Sequence, residues 1–215
     1  MAKSIYLLSP IKRENTISLP MIEFKIIVTN IDLSTCDTLM FTSKQAVKSA
    51  DVLNAKWKNY PCLAIGSATA KQIIELGGKV EYQPSIFYGH ALSQDIIEKF
   101  KNRKILYLRP KIVSFDSKLF LEKENIRLDE QIIYETICID YKKREQPNKD
   151  SIIIFTSPST IHCFFNNFTW DESYTAIVIG ESTKEHLAEN IVYQVADVPT
   201  IDACIAKAQE IISSV

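Results

Sequence analysis

Residues 151–160 read SIIIFTSPST, and residues 176–183 read AIVIGEST. In both segments a short apolar run rich in β-branched residues ends in small residues that include hydroxyl side chains. Apolar residues at helical spacing, Ile161, Phe164 and Phe168, follow the first segment. The pattern predicts a buried strand, a turn and a helix, in that order.

Both segments have a counterpart earlier in the chain. FTS at 41–43 matches FTS at 155–157, and IGSAT at 65–69 matches IGEST at 179–183. The two pairs share one offset of 114 residues, and an offset that is kept through two motifs indicates an internal duplication. A third similarity, between IYLLSP and ILYLRP, is shorter and can arise by chance between two buried strands, so it carries less weight.

Strands and helices are predicted to alternate along the chain, which favours two α/β domains with parallel sheets flanked by helices. Residues 37–132 hold enough strand–helix pairs to close on themselves, whereas 150–215 lack a strand that residues 3–8 can supply. One domain is therefore expected to be discontinuous. Gly77 and Gly78 are expected to end one helix of the first copy, and Asn190 stands just past the matching helix.

The domain limits follow from this count. We expect a discontinuous domain of residues 1–31 and 141–215, with an inserted domain of residues 32–140. The chain then passes between domains twice, and the extended runs at 24–31 and 133–141 predict a linker of two extended strands.

The strand–helix junctions are also the expected binding positions. Hydroxyl side chains such as Ser43 and Ser67 cap a helix by accepting bonds from its first N–H groups, and capping alone explains most of them. The same junctions lie at the carboxyl ends of parallel strands, where helix N-termini suit anions. Two junctions in each copy predict a cleft rich in hydroxyl groups and backbone N–H groups.

The composition limits the classes of protein to which the chain can belong. The 215 residues are 46% hydrophobic and carry a net charge of −1, so no overall field draws the chain to nucleic acid or to a membrane surface. No apolar run approaches the roughly 20 residues of a membrane helix, and the N-terminus does not read as a signal peptide. A cytoplasmic protein is expected, with an even charge that favours a monomer. The five scattered cysteines are expected to be reduced thiols.

Several chemistries lack their motifs. The chain contains no G-x-G-x-x-G, no phosphate-binding P-loop and no G-x-S-x-G, and its three histidines are far apart. Two larger side chains remain as candidates. Arg109, at the end of a predicted strand, is suited to a carboxylate, although an internal ion pair is the more common role of such a residue. Tyr134 offers a phenol that can donate a proton, and interdomain packing is its alternative role.

Six segments in order, FTS at 41–43, IGSATA at 65–70, YLR at 107–109, YET at 134–136, FTSPS at 155–159 and IGEST at 179–183, resemble uroporphyrinogen-III synthase over nearly the whole chain. The resemblance implies two α/β domains joined by a two-stranded ladder. It also implies that hydroxymethylbilane, a linear tetrapyrrole with eight carboxylates, is cyclised with loss of water and inversion of the last pyrrole ring. The family uses neither a metal nor an organic cofactor.

The resemblance assigns roles to individual residues. Tyr134 matches the tyrosine proposed to assist departure of the hydroxyl group. The matched substrate-binding positions are Thr69, Ser157, Ser159, Ser182 and Thr183. The chain departs from the family at Ser9–Leu19, which is too short for the usual first crossover helix, and at Lys184, where alanine is frequent.

Two other functions stay open at this point. A two-domain binding protein without catalytic activity, closing on an anionic small molecule by hinge motion, fits the duplication and the hydroxyl groups equally well. A third hypothesis is a scaffold protein whose hydroxyl groups only cap helices. Neither requires Tyr134 to take part in chemistry.

Overall fold

The computed structural model of the protein describes residues 3–213. In chain order its strands are β1 Ile5–Leu7, β2 Ile17–Ser18, β3 Ile22–Ile26, β4 Thr38–Phe41, β5 Pro61–Ala64, β6 Lys79–Tyr82, β7 Ile105–Pro110, β8 Leu128–Cys138, β9 Ile152–Phe155, β10 Thr175–Val178 and β11 Tyr193–Val195. Its helices are α1 Lys44–Leu53, α2 Ser67–Glu75, α3 Gly89–Lys99, α4 Ser117–Lys123, α5 Pro158–Asn167, α6 Glu181–Lys184 and α7 Ile201–Ser213. The alternation of strands and helices predicted from the sequence is confirmed.

The strands form two sheets. One has the order β11-β10-β9-β1-β2, and the other has the order β3-β8-β7-β4-β5-β6. All four neighbouring pairs of the first sheet are parallel, as are β8–β7, β7–β4, β4–β5 and β5–β6 of the second. The predicted α/β class with parallel sheets is therefore confirmed.

Both sheets are covered on two faces, which explains why their central strands are apolar throughout. In β9, Ile153 and Phe155 belong to one buried cluster, while Ile152 and Ile154 belong to another. In β4, Leu39 and Phe41 likewise belong to one buried cluster, while Met40 belongs to another. Successive side chains of a strand point to opposite faces, so a strand between two helical layers has no polar face.

The duplication is confirmed at the level of elements. With the offset of 114 residues, the bounds of β4, α1 and β5 coincide with those of β9, α5 and β10. The starts of α2 and β6 coincide with those of α6 and β11. The two copies differ in the length of the second helix, because α6 ends at Lys184, well before the end expected near Asn190.

The shorter similarity, between IYLLSP at 5–10 and ILYLRP at 105–110, also has a structural basis. β1 lies beside β9, and β7 takes the equivalent place beside β4. The first strand of the chain therefore completes the sheet of the second copy, as the count of strands predicted. Residues 8–16, which connect β1 to the parallel edge strand β2, contain no helix, so the expected loss of the first crossover helix is confirmed.

The chain divides into two compact units. The first combines the residues up to Glu23 with those from Ile137 onward, and the second is Phe24–Thr136. Both passages fall inside strands, β3 and β8, which are neighbours in one sheet. The domain limits expected from the sequence, after residues 31 and 140, lie eight and four residues further along the chain than the observed ones, after 23 and 136. That the two strands act as the linker stays a prediction.

Cys138, at the end of β8, and Cys163, on α5, form a disulfide with Cα atoms 5.2 Å apart. The expectation that all five cysteines are free thiols is therefore wrong for these two. Their proximity depends on where β8 ends against α5, which no spacing in the sequence reveals. None of the helices between residues 3 and 213 is both long and apolar enough to cross a lipid bilayer.

Candidate functional site

The duplicated junctions lie at the carboxyl edges of the two sheets. β4 and β5 are parallel neighbours with Phe41 opposite Ala64, so α1 and α2 begin at the same edge of their sheet. In the other unit β9 and β10 are parallel neighbours with Phe155 opposite Val178, and α5 and α6 begin together. Each unit therefore holds two adjacent helix starts, as the sequence predicted.

One helix start in each unit is capped by a serine. The Ser43 hydroxyl oxygen accepts a hydrogen bond of 3.0 Å from the Ala46 N–H at the start of α1. The equivalent Ser157 accepts one of 3.3 Å from the Thr160 N–H, and the Thr160 hydroxyl oxygen accepts from the Ser157 N–H. Capping uses a lone pair of each serine oxygen and leaves the hydroxyl hydrogen for another partner.

The second helix start in each unit has no side-chain cap. Gly66 and Gly180 occupy the N-cap positions of α2 and α6, and no side chain caps either helix. The first N–H groups of these helices therefore depend on other acceptors. Gly66 leaves room for a neighbour, because a Cβ atom there would lie 3.0 Å from the Phe87 ring.

The candidate hydroxyls at the helix starts differ in exposure. Ser67 and Ser182 are exposed beside the uncapped glycines, and Ser159 is half-buried in the first turn of α5. Thr69 and Thr183, which are equivalent at the offset of 114 residues, are only 4% and 1% exposed. The exposed serines are therefore the more accessible members of the predicted set.

Tyr134 lies in β8 with only 3% of its surface exposed. Its hydroxyl is 2.9 Å from the Ser43 hydroxyl, and its ring meets the Phe24 ring edge-on at 5.9 Å between centroids. Burial raises the pKa of Tyr134, so the phenol stays protonated at neutral pH. The structure thus pairs two candidate residues that the sequence had placed separately.

Arg109 is held inside its own unit. Its Nη1 donates to the carbonyl oxygens of Pro110 and Lys111 at 3.1 and 3.3 Å, and its Nε lies 3.1 Å from a carboxylate oxygen of Glu130. The internal ion pair considered from the sequence is therefore present. Binding of a substrate carboxylate by Arg109 stays a prediction, and the observed contacts hold the start of the loop that follows β7.

A second hydroxyl pair was missed by the sequence analysis. The hydroxyls of Thr42 and Tyr107 are 2.6 Å apart. Both residues line a cavity of about 170 Å³ at the carboxyl edge of the six-stranded sheet, together with Ser43. The sequence places Tyr107 in a buried strand and in the YLR segment of the family resemblance, but it gives the side chain no role in the site. Its place two residues before Arg109 was the available signal, because alternate residues of a strand share a face.

Burial also raises the pKa of Tyr107, to about 12. The main cause is the removal of the phenol from water, which disfavours the phenolate. Tyr107 and Tyr134 are therefore both neutral hydrogen-bond donors at physiological pH. The site offers hydroxyl and N–H donors, a chemistry suited to anions and to oxygen leaving groups.

Comparison with known proteins shows that this chain is similar to one family. The family profile described as Uroporphyrinogen-III synthase HemD matches residues 13–206. The porphyrin biosynthesis protein HemD of Ruminiclostridium josui is 34% identical over 189 residues, which is 80% of this chain. This chain spans only 38% of the length of that relative.

Solved structures show the same similarity. The crystal structure of uroporphyrinogen-III synthetase from Helicobacter pylori is 26% identical, with a TM-score of 0.83, and the match covers 97% of this chain and 99% of that one. A mutant uroporphyrinogen III synthase from Thermus thermophilus is 9% identical with a TM-score of 0.61 over the full length of both chains, which supports the fold alone.

Proposed function

We propose, because this chain belongs to the uroporphyrinogen-III synthase family, that it cyclises hydroxymethylbilane to uroporphyrinogen III. Water is lost from the terminal hydroxymethyl group, and the last pyrrole ring is inverted before the macrocycle closes. The observation that carries the proposal is the family match over residues 13–206, which includes all the candidate site residues.

The donors of the site suit the substrate. A tetrapyrrole with eight carboxylates needs many hydrogen-bond donors, and a carboxylate can only accept hydrogen bonds when it is ionised. The uncapped start of α2 at Gly66 supplies N–H groups next to the exposed Ser67. We propose Ser67, Thr69, Arg109, Ser157, Ser159, Ser182 and Thr183 as substrate-binding residues.

We propose that Tyr134 assists departure of the hydroxyl group through Ser43. Tyr134 has one described hydroxyl partner, the Ser43 oxygen, which also accepts the Ala46 N–H. If Ser43 donated to Tyr134, the phenol hydrogen would be left buried without a partner, which is costly. The favoured arrangement has Tyr134 donating to Ser43, so that the Ser43 hydrogen remains for the leaving oxygen.

Such a donor lowers the barrier to loss of hydroxide, because the oxygen gains negative charge as its bond to carbon breaks. Departure of hydroxide together with the N–H proton of the same pyrrole ring makes up the water that is lost and leaves an azafulvene at one end of the chain. The pyrrole ring at the other end must then be attacked at its substituted carbon. A chain left alone closes without inversion, so holding the substrate in the folded arrangement is at least as important as proton donation.

The test is the identity of the product. Purified protein is mixed with enzymatically generated hydroxymethylbilane, and the products are oxidised and separated by isomer. Formation of the type III isomer is expected. If only the type I isomer forms, as it does without protein, the proposed activity is wrong. A tetrapyrrole that stabilises the protein but is recovered unchanged would instead indicate a binding protein.

We also propose that the protein is a cytoplasmic monomer acting as a hydro-lyase, without nucleic acid or a membrane as partner. The near-zero net charge of −1 supports the absence of nucleic-acid and membrane partners, because no overall field draws the protein to a nucleic-acid backbone or an anionic membrane surface. Sedimentation of the purified protein at several concentrations tests the oligomeric state.

A further inference from the structure

The cavity beside β4 is lined by both polar and apolar residues. The polar lining residues are Thr42, Ser43, Tyr107, Ser114 and Ser117, and the apolar ones include Ile65, Ile112, Val113 and Phe115. No lining residue carries a charge. Its volume of about 170 Å³ is several times the space that one water molecule needs, so a larger group fits.

The contact between Thr42 and Tyr107 leaves one hydroxyl hydrogen unused. Each hydroxyl has one hydrogen to donate, and the 2.6 Å contact between the two oxygens consumes one of the two. Within residues 3–213, neither hydroxyl has another hydrogen-bond partner. Because both residues line the cavity, whichever hydrogen remains is available to a group that enters it.

The ring of Tyr107 is fixed, so its hydroxyl oxygen stays beside Thr42. Tyr107 is only 2% exposed and packs in the buried cluster that contains Met40, Leu63 and Leu92. When the phenol donates to Thr42, the Thr42 hydrogen is the one that remains for a group in the cavity. The pair therefore has the properties of a prepared donor for an acceptor group.

We propose that this cavity binds one carboxylate arm of the tetrapyrrole, with Thr42 as donor and Tyr107 as the residue that positions it. The proposal rests on the proposed function and adds a subsite to it. A carboxylate arm consists of apolar methylene groups and a charged acceptor, and the cavity offers both apolar contacts and hydroxyl donors to them. The cavity is also bordered by Gly89, where α3 begins without a side-chain cap, and a helix start favours a negative charge.

The neighbouring Ser43 also lines the cavity, which relates the subsite to the reaction. Ser43 is the residue proposed to act on the leaving oxygen, so the arm that enters belongs to the terminal ring that carries the hydroxymethyl group. Tyr107 is therefore expected to affect binding, whereas Tyr134 is expected to affect the chemical step. The two tyrosines are distinguished by the ratio of their effects on KM and kcat.

The experiment replaces Tyr107 by phenylalanine. Y107F is expected to raise KM for hydroxymethylbilane about tenfold and to weaken binding of uroporphyrin III, used as a stable octacarboxylate probe, by a similar factor, the usual loss for one hydrogen bond to a charged group. The value of kcat should change by less than about threefold, since the interaction is made equally before and during the reaction. Thr42→Val should have the same effect as Y107F.

Two controls separate positioning from folding. Tyr60→Phe removes a phenol from the same unit whose hydroxyl donates to the Leu33 carbonyl oxygen at 3.1 Å, away from the cavity, and it should leave KM unchanged. Thr42→Ser keeps the hydroxyl and should restore binding. The double variant Y107F/T42V should be no weaker than either single variant, because the two residues act as one donor.

Unchanged KM and probe affinity in Y107F, or additive losses in the double variant, would overturn the subsite. If Y107F fails to fold, the comparison of Thr42→Val with Thr42→Ser decides the question. If the unaltered protein forms only the type I isomer, the proposed function fails. The measured affinities for uroporphyrin III then decide independently whether the cavity binds a carboxylate arm.

Discussion

Tyr134 reaches the site only through its hydroxyl, because its ring is buried beside Phe24 and its oxygen contacts Ser43. Tyr134→Phe keeps the ring and removes the hydrogen bond that directs Ser43. We expect kcat to fall by about a hundredfold, the lower end of the range for loss of a general acid, with a much smaller change in KM. Steady-state kinetics with detection of the type III isomer measures both constants.

Equal activity of Tyr134→Phe and the unaltered protein would leave Tyr134 with a packing role only. Ser43→Ala is a poorer test, since it also removes the cap of α1 at the Ala46 N–H. Its loss of stability has to be measured by thermal unfolding before its kinetics are interpreted. Tyr60→Phe again serves as the matched control.

The two consecutive glycines after α2, Gly77 and Gly78, are required for different structural reasons. Gly77 has a φ of +86°, in the left-handed region that favours glycine, with no atom near an added Cβ. Gly78 has an ordinary φ, but an added Cβ would overlap the ring of the fully buried Trp57 and approach Ile73 within 2.9 Å. The sequence predicted a glycine end to this helix, and it did not reveal the contact with Trp57.

We therefore expect both alanine substitutions to destabilise the protein, for different reasons. Gly77→Ala should cost about 1 kcal/mol from backbone strain alone. Gly78→Ala should cost about 2–3 kcal/mol, because the Trp57 ring has to move within a close-packed core. Urea unfolding measures both losses, and Trp57 fluorescence should change in Gly78→Ala only. A larger loss in Gly77→Ala would contradict this assignment.

A disulfide and side-chain hydrogen bonds hold helix α5 against the end of β8. The disulfide joins Cys138 to Cys163, and the Asn167 side chain donates to the carbonyl oxygens of Ile139 and Cys163. Asn167 also accepts from the Tyr141 N–H at 2.6 Å. Since Ser157 at the start of α5 is a proposed substrate-binding residue, these contacts fix the helix that presents it.

The disulfide predicts the number of reactive thiols. Under denaturing and non-reducing conditions, alkylation should label three of the five cysteines, namely Cys36, Cys62 and Cys204. Cys163→Ser removes one cysteine but should raise the number labelled to four, because Cys138 becomes free. Mass spectrometry of the labelled protein gives the count. Labelling of all five in the unaltered protein would show that the bond does not form.

The shorter α6 is where the two copies diverge most. The buried Ile73 of α2 is replaced by Leu187 and Leu76 by Asn190 at the offset of 114 residues. A helix in a protein is stabilised mainly by packing of its apolar face, and the loss of an apolar residue at Asn190 is consistent with the single turn that α6 keeps. The sequence showed the substitution at Asn190, but the helix end at Lys184 depended on packing.

At the scale of the whole molecule, local patterns could be predicted and distant pairings could not. The strand–turn–helix units and their duplication follow from periodicity within short segments. The contacts that build the site join residues far apart in sequence, since Ser43 and Tyr134 are separated by 91 positions and Thr42 and Tyr107 by 65. Without knowledge of which strands are neighbours, Tyr107 looks like any other residue of a buried strand.

The division into units makes a prediction about folding. Phe24–Thr136 is one continuous segment with helices on both faces of its sheet and its own buried clusters around Phe41 and Met40. The other unit combines two separate segments of the chain. A continuous segment that holds a complete core needs no other part of the chain to bury its apolar surface. We therefore expect the fragment 24–136 to fold alone.

The fragment contains Trp57 but lacks the protein's other tryptophan, Trp170, so fluorescence reports on its own core. It should unfold cooperatively in urea with a slope of about 1–3 kcal/mol per molar. A matched fragment with Trp57→Ala should lose about 3–5 kcal/mol, the usual cost of removing a large buried side chain, with its unfolding followed by circular dichroism. Non-cooperative melting of 24–136 would mean that this unit depends on contacts from outside its own segment. The folded fragment should not form the type III isomer, because Ser157, Ser182 and Thr183 are absent from it.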